Sequence, residues 1–229
     1  FVRGVPEYFM WRMINSESQL EEKMVLFWHG ILCTADSKTQ SYITSYVELE
    51  MFRRCGMDSF RDMLVEISRD PAMVFFLDNC LNHKGAINEN YGRELLELFS
   101  MGVGMDGKFN YTEDDVKECS RAFTGWTITN AIPAQPYGRY AAQFIFNPDD
   151  HDDDVKTFLG ETGRFNGEDI VDIIVKQPAT ARFLSRHLYS YFVADDGQVP
   201  SWMDTPPQDP ETIKMLEEEY FRSGYDIRS

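Results

Sequence analysis

Apolar side chains recur at three- and four-residue intervals along most of the chain, which is the spacing of helices that bury one face. The pattern is clearest where five apolar residues share one helical face: Leu20, Met24, Phe27, Trp28 and Ile31. Ser16 and Gln19 have the spacing of a capping box before this helix. Further helices are predicted over residues 43–54, 58–68, from 71 onward, 88–101, 112–123, 167–176, 178–193 and 211–222.

The period changes between Trp126 and Phe146. Residues 127–129 and 143–146 have the composition of two short strands. The segment between them carries the turn formers Pro133, Pro136 and Gly138. The sequence therefore predicts an all-α fold, a multi-helix globular domain with a minor β-hairpin.

The Pro-rich stretch near the end of the chain suggests where the domain is divided. We expect residues 1–199 to form a helical domain with the hairpin inserted near 126–146. Residues 200–229 would then be a Pro-rich linker and a final helix that belong to the same domain.

Composition supports a packed core and narrows the partners. The 229 residues include 17 Phe, 11 Tyr and 4 Trp, far more aromatic bulk than disordered chains carry. The 22 basic and 38 acidic side chains give a net charge of −16, which repels phosphate backbones and anionic lipids, so neither nucleic acid nor a membrane surface is expected as a partner. This negative charge is suited to binding cations, or it serves only to keep the protein in solution.

Other sequence signals are mostly absent. No run approaches the roughly 20 apolar residues of a membrane span, and Phe1 opens directly into foldable sequence without a signal segment. The spacing of the four cysteines, Cys33, Cys55, Cys80 and Cys119, is not the CxxC spacing of zinc and redox sites. The sequence does not decide whether any of them form disulfides. No GxSxG elbow, P-loop or GxGxxG occurs, which removes the usual support for serine hydrolases and nucleotide binders.

Several motifs occur in an order that resembles a known family. In chain order they are Phe27-Trp28-His29, Asp70-Pro71-Ala72-Met73, Leu77-Asp78-Asn79, the run from Asn88 to Phe99, Tyr111 to Val116, Thr124-Gly125-Trp126, His151-Asp152 with Lys156 and Gly160, and Pro178-Ala179-Thr180-Ala181. The chain resembles the bacterial domain of unknown function family 1800. This resemblance implies no established activity.

The resemblance implies a setting for the protein. Members look like exported bacterial proteins, so a periplasmic or extracellular location is expected, with a sulfatase-like exported protein encoded nearby as a partner. Family domains run longer, which implies a partial copy. After Trp28 and His29 the family usually shows a polar residue and a second His, whereas this chain has Gly30 and Ile31. A site that needs two histidines there is therefore in doubt.

His29 is the first candidate for chemistry. Almost every other side chain between Met24 and Leu32 is apolar, so the imidazole is expected to be buried and to need a partner. A structural histidine with a satisfied ring and a metal, haem or proton-transfer ligand both fit this pattern.

The run from Asn88 to Phe99 supplies two more candidates, Glu94 and Arg93. Glu89, Arg93 and Glu97 step by four along one helical stripe, which predicts a salt-bridge ladder. Glu94 lies at the border of the apolar face, where burial would raise the pKa of its carboxyl group. The alternative is a boundary residue paired with an Arg of a neighbouring helix.

An acidic loop, residues 149–154, places five carboxylates around His151. Mutual repulsion predicts a divalent cation there, with His151, Asp150, Asp152 and Asp154 as the metal ligands. An EF-hand is not expected, since Val155 stands where its sharp turn needs Gly. Solvated surface acid is the alternative. His83 and His187 lack companion ligands nearby in the sequence and are expected to be structural or exposed.

Three functions fit these residues. The first is a metal-dependent envelope enzyme that gathers His29, Glu94, His151 and Asp152 around one cation. The second is a non-catalytic helical module that binds or displays an exported partner. The third is a haem-binding, peroxidase-like protein with His29 as axial ligand and Arg93 beside the pocket, without a CxxCH attachment sequence.

Overall fold

A computed structural model describes residues 4–129, 142–199 and 201–229. Over these ranges the chain forms eleven α-helices and six short strands. The helices are α1 (Gly4–Asn15), α2 (Gln19–Ile31), α3 (Asp36–Thr39), α4 (Tyr42–Cys55), α5 (Phe60–Arg69), α6 (Pro71–Phe76), α7 (Asn90–Glu97), α8 (Glu113–Ala122), α9 (Gly167–Ile174), α10 (Pro178–Phe192) and α11 (Pro210–Arg222). The mainly helical fold predicted from the sequence is confirmed.

The strands pair in sequence as three antiparallel hairpins within the described ranges. They are β1 (Gly104–Met105) with β2 (Lys108–Phe109), β3 (Trp126–Ile128) with β4 (Phe144–Phe146), and β5 (Lys156–Phe158) with β6 (Glu161–Gly163). The predicted hairpin is confirmed, with Trp126 opposite Phe146. Its expected loop with Pro133, Pro136 and Gly138 lies outside the described residues.

Trp28 shows how α2 is fixed in the core. Its side chain is fully buried, its ring stacks on Phe60 at 5.7 Å, and its Nε1 donates to the carbonyl of Gly56 at 2.7 Å. The predicted capping box of this helix is wrong, because the cap is Ser18 without a side-chain bond. The Ser16 hydroxyl instead accepts a hydrogen bond from the Ser18 amide at 3.1 Å. It therefore does not cap an amide of the helix.

Two other predicted caps are present. The Asp70 carboxyl accepts from the amides of Ala72 and Met73 at 2.9 and 3.1 Å and starts α6. Thr112 and Asp115 bond reciprocally across the first turn of α8. These side chains satisfy amides that the first helical turn leaves unpaired.

Helix α7 is shorter than the predicted 88–101. It ends at Glu97. The amide of Met101 donates to the carbonyl of Leu96, five residues back, so the chain widens into a turn that Gly102 closes at φ +75°. Periodicity continues through this turn, which is why the sequence does not mark the helix end.

Helices α1, α2 and α4 pack against one another, and α3 packs against α4. The segment 32–35 leads from α2 into α3 along the same side. At the other end of the chain α11 packs on α10. Within the described ranges, no helix combines the length and the apolar composition that crossing a bilayer requires.

Candidate functional site

A cavity of about 230 Å³ lies between α1, α2, α3 and α4. We refer to it as the His29 cavity. An engineered apolar cavity of about 150 Å³ holds benzene, so this one has room for a small organic molecule. Its lining consists of Val5, Pro6, Phe9, His29, Thr34, Asp36, Tyr42, Ser45, Glu48 and Leu49.

Three polar atoms of the lining are buried without a hydrogen-bond partner. They are His29 Nδ1, Asp36 Oδ1 and Glu48 Oε1. Buried polar groups in native proteins are nearly always bonded, because an unpaired one costs roughly 1–3 kcal/mol. Three such atoms around one cavity are therefore typical of a site that a ligand satisfies.

The sequence predicts a buried imidazole at His29; the residue is partly buried, and its ring is not fully satisfied. It lines the cavity, and its Nδ1 has no partner in the described part of the chain. Burial lowers the pKa of this ring below its ordinary value, which favours the neutral form. A neutral imidazole with a free nitrogen can accept a proton or a hydrogen bond.

Glu48 is the most deeply buried carboxyl group of the cavity, with 1% of its surface exposed. Burial raises its pKa well above the ordinary value, and the nearby Asp70 carboxyl raises it further. The Thr34 hydroxyl donates to Oε2 at 3.1 Å and opposes these effects only in part. Burial therefore favours the protonated form of Glu48, and its Oε1 is buried without a hydrogen-bond partner.

His29 and Glu48 are shifted in opposite directions within one cavity. The base has a lowered pKa and the acid a raised one, both chiefly through burial. Both shifts favour the neutral form of the side chain, and a ligand that supplies a counter-charge would oppose them. Environments that separate pKa values in this way are how proteins assign proton donors and acceptors.

Sequence reasoning singled out His29 but missed Asp36 and Glu48. Asp36 begins a helix of four residues, too short for a periodic pattern. Glu48 stands beside Glu50 on α4 and looks like a second surface acid. The available signal for Glu48 was its place next to Leu49 and four residues before Phe52, on the face that α4 buries.

Glu94 and Arg93 lie away from this cavity and outside its lining. Burial raises the pKa of the Glu94 carboxyl, as predicted, and its Oε2 is buried without a partner. Arg93 pairs with Glu113 at 2.6 Å and with Glu89 at 3.4 Å. The predicted ladder is thus present between Arg93 and Glu89, and Glu97 instead accepts from Tyr111 at 3.3 Å.

The acidic loop obtains its counter-charges from the protein itself. Arg121 forms two hydrogen bonds with the Asp152 carboxylate, at 2.8 and 3.1 Å. Burial acts to raise the pKa of Asp152, but the bonds from Arg121 outweigh it and lower that pKa. Asp150 contacts His83 Nδ1 at 2.6 Å, so His83 does have a companion in space.

Lys156 lies beneath the acidic loop with only 1% of its surface exposed. Its ammonium donates to the backbone carbonyls of Asp152 and Asp154, and burial lowers the pKa of this group. His151 is buried too, with Nδ1 2.8 Å from the carbonyl of Thr124. The ammonium of Lys156 and the guanidinium of Arg121 thus supply the positive charge that the sequence suggested a metal would supply.

The structure does not gather the proposed metal set. No hydrogen bond or ion pair in the described ranges joins His29 or Glu94 to His151 or Asp152. Across residues 4–129, 142–199 and 201–229, no three His, Cys, Asp or Glu side chains converge as metal ligands would. The metal ligands His151, Asp150, Asp152 and Asp154 stay a prediction. All four cysteines, which lie in the described ranges, are free.

A second cavity of about 290 Å³ borders the opposite side of α2 and contains His187. Burial lowers the pKa of this ring to about 4, and Nε2 has no partner in the described chain. The ring lies between Phe183 and Trp202, at 4.5 and 4.9 Å. These two aromatic contacts fix the ring, in keeping with the structural role expected for His187.

Comparison with known proteins yields one match. The family model described as "Protein of unknown function (DUF1800)" matches residues 3–229. No curated protein and no solved structure matches the chain. The geometry of the chain itself is therefore the basis for assigning a function.

Proposed function

The chain belongs to the DUF1800 family, which carries no assigned activity, and we propose that its functional site is the His29 cavity, which binds a small, partly apolar molecule. One observation carries this proposal: three residues that line the same cavity, His29, Asp36 and Glu48, each have a buried polar atom without a partner. Concave sites with apolar walls and a few convergent polar groups are the usual form of ligand pockets.

The cavity also has the groups for proton transfer to a bound molecule. His29, neutral through burial, is the proton acceptor of this site. Glu48, protonated through burial, is the proton donor. Groups whose pKa values are perturbed by burial inside a pocket are the expected participants in acid–base chemistry.

The other functions derived from the sequence gain less support. Arg93 does not line the cavity, which removes the second residue of the haem hypothesis. The metal hypothesis needs four residues that no described contact joins. A non-catalytic binding module, an exported location and a sulfatase-like partner stay predictions from the sequence.

Filling the cavity tests the proposal. Ser45 lines the His29 cavity, whereas Val47 lies on the same helix with 41% of its surface exposed. We expect Ser45→Phe to abolish the saturation-transfer NMR signals of a panel of small aromatic and aliphatic fragments. Val47→Phe should keep them.

Two outcomes decide the result. Both variants are first checked for the wild-type circular dichroism spectrum and cooperative melting. Fragment binding that survives Ser45→Phe in a folded protein places the binding elsewhere and overturns the proposal, as does the absence of any bound fragment in the wild type.

A further inference from the structure

The unpartnered atoms of the His29 cavity are all able to accept a hydrogen bond. Asp36 and Glu48 each present a carboxyl oxygen, and His29 presents Nδ1, which accepts in one tautomer. None of the described lining residues is Lys or Arg. Once Glu48 is ionised, a ligand that brings hydrogen-bond donors can satisfy all three atoms, and an ammonium group carries three donors.

The rest of the lining is apolar. Val5, Pro6, Phe9 and Leu49 form walls on α1 and α4. These walls favour a hydrocarbon group, alkyl or aryl, because burial of apolar surface is worth about 25 cal/mol per Å². The volume of about 230 Å³ is large enough for one ring with a short arm.

We propose that the ligand of this cavity is a small organic ammonium ion with one apolar substituent, held by Asp36, Glu48 and His29. The proposal rests on the proposed function, since it assigns a chemical class to the molecule in the same cavity. The net charge of −16 attracts such a cation from solution.

The groups around Glu48 favour a cationic ligand over a neutral or anionic one. The titratable groups near it or in the same cavity lining are His29 from α2, Cys33 from the segment 32–35, Asp36 at the start of α3, Tyr42 at the start of α4 and Asp70 at the start of α6. None of them is a permanent cation. The acidic loop differs, because Arg121 already pairs with its carboxylate there.

Binding of an ammonium ion is coupled to loss of a proton from Glu48. In the free protein, burial and the nearby Asp70 carboxyl raise the pKa of Glu48, which favours the protonated form. When R–NH₃⁺ enters, the O–H bond of Glu48 breaks, the proton passes to buffer, and the carboxylate pairs with the ammonium. One cation enters and one proton leaves, so the buried charge stays balanced.

The test uses three probes with the same ring: benzylammonium, benzyl alcohol and benzoate. We expect isothermal titration at pH 7 to show benzylammonium binding at least tenfold tighter than benzyl alcohol, and no binding of benzoate. Titrations in phosphate and in Tris, whose ionisation enthalpies differ, should reveal up to one proton released per benzylammonium bound.

Variants separate the carboxyl groups. Glu48→Gln should abolish the proton release and weaken benzylammonium binding about tenfold. Asp36→Asn should weaken binding by a similar factor and keep the proton release. Glu17→Gln, an exposed acid in the loop between α1 and α2, should change neither.

The outcomes distinguish the two proposals. If benzyl alcohol binds as tightly as benzylammonium and Ser45→Phe blocks both, the cavity stands and the ammonium class is wrong. If benzylammonium binds without proton release in the wild type, the Glu48 coupling is wrong, whether or not Glu48→Gln folds. If Ser45→Phe leaves all binding unchanged, the proposed function itself fails.

Discussion

The acidic loop and the His29 cavity both concentrate titratable side chains, yet the two regions treat them in opposite ways. In the loop, Asp152 binds Arg121, and Lys156 caps two backbone carbonyls from below. In the cavity, Glu48 and His29 keep one atom each without a partner. Density of charge along the sequence therefore marks a region that pairs its own charges, whereas the cavity that we propose as the functional site combines burial with unpaired polar atoms.

This difference has an energetic meaning. Paired and bonded charges in the loop stabilise the native state, whereas unpaired groups in the cavity lower its stability. Natural proteins keep such destabilising groups where function requires them. Four experiments test the comparison, and the variant expected to have the largest effect comes first.

Trp28→Ala asks whether α2, the helix that carries His29, is anchored in the core. Trp28 precedes His29, is fully buried and stacks on Phe60. We expect a loss of roughly 3–5 kcal/mol in the free energy of unfolding, measured by urea titration. Trp11→Ala, at a position with 57% exposure, should cost less than about 0.5 kcal/mol. A loss below about 1 kcal/mol for Trp28→Ala would contradict this anchoring of α2.

Lys156→Met asks whether the loop depends on its internal cation. The variant leaves the carbonyls of Asp152 and Asp154 buried without a donor. We expect a loss of about 3 kcal/mol in the free energy of unfolding. Lys117→Met, exposed on α8, is the matched control and should be nearly neutral. Equal stability of the two variants would show that the loop needs no such cation.

Glu48→Gln asks whether the unpaired acid lowers stability. The raised pKa means that the native state binds more protons than the unfolded state, so wild-type stability falls as pH rises above about 4. The Glu48→Gln variant lacks this pH-dependent contribution to the free energy of unfolding. We expect it to match wild type near pH 4 and to exceed it by about 1 kcal/mol at pH 8 in urea unfolding. Glu17→Gln should follow wild type at both pH values, and a Glu48→Gln protein less stable at pH 8 would refute the assignment.

Divalent metal should have the smallest effect. A cation bound only by the native loop would raise the melting temperature by mass action. Because Arg121 and Lys156 already supply positive charge, we expect equal melting temperatures in chelator and in excess calcium, manganese or zinc. A metal-dependent rise that is lost when Asp150 and Asp152 are both changed to Asn, and kept when Asp195 and Asp196 are, would restore the predicted metal site.

Much of the fold was readable from the sequence because its helices carry periodic apolar residues and local caps. Asp70 and Thr112 start α6 and α8 through bonds within three residues, which sequence spacing reports directly. Helix α1 gives no such signal, since Trp11 and Ile14 are exposed on it. Hairpins β1–β2 and β5–β6 consist of strands of two or three residues, too short to show alternation.

The site was harder to predict because its polar groups meet only through packing. His29 stood out as the one polar residue in an apolar run. Glu48 and Asp36 reach the same cavity because α4 and α3 pack beside α2, a relation that spacing along the chain does not encode. The acidic loop, in contrast, received too much weight as a metal site. The cation beneath it, Lys156, lies on the following strand, β5, and the sequence does not show that it reaches the loop.

Hydrogen exchange at the backbone amide of Asp152 reports on opening of the acidic loop. This amide donates to the hydroxyl of Thr124 at 2.8 Å and belongs to no strand, so only opening of the loop exposes it to water. Its rate of exchange with deuterium therefore measures the free energy of that local opening, separately from global unfolding. Because Arg121 and Lys156 already supply positive charge to the loop, we expect this rate to be the same in chelator and in excess divalent metal.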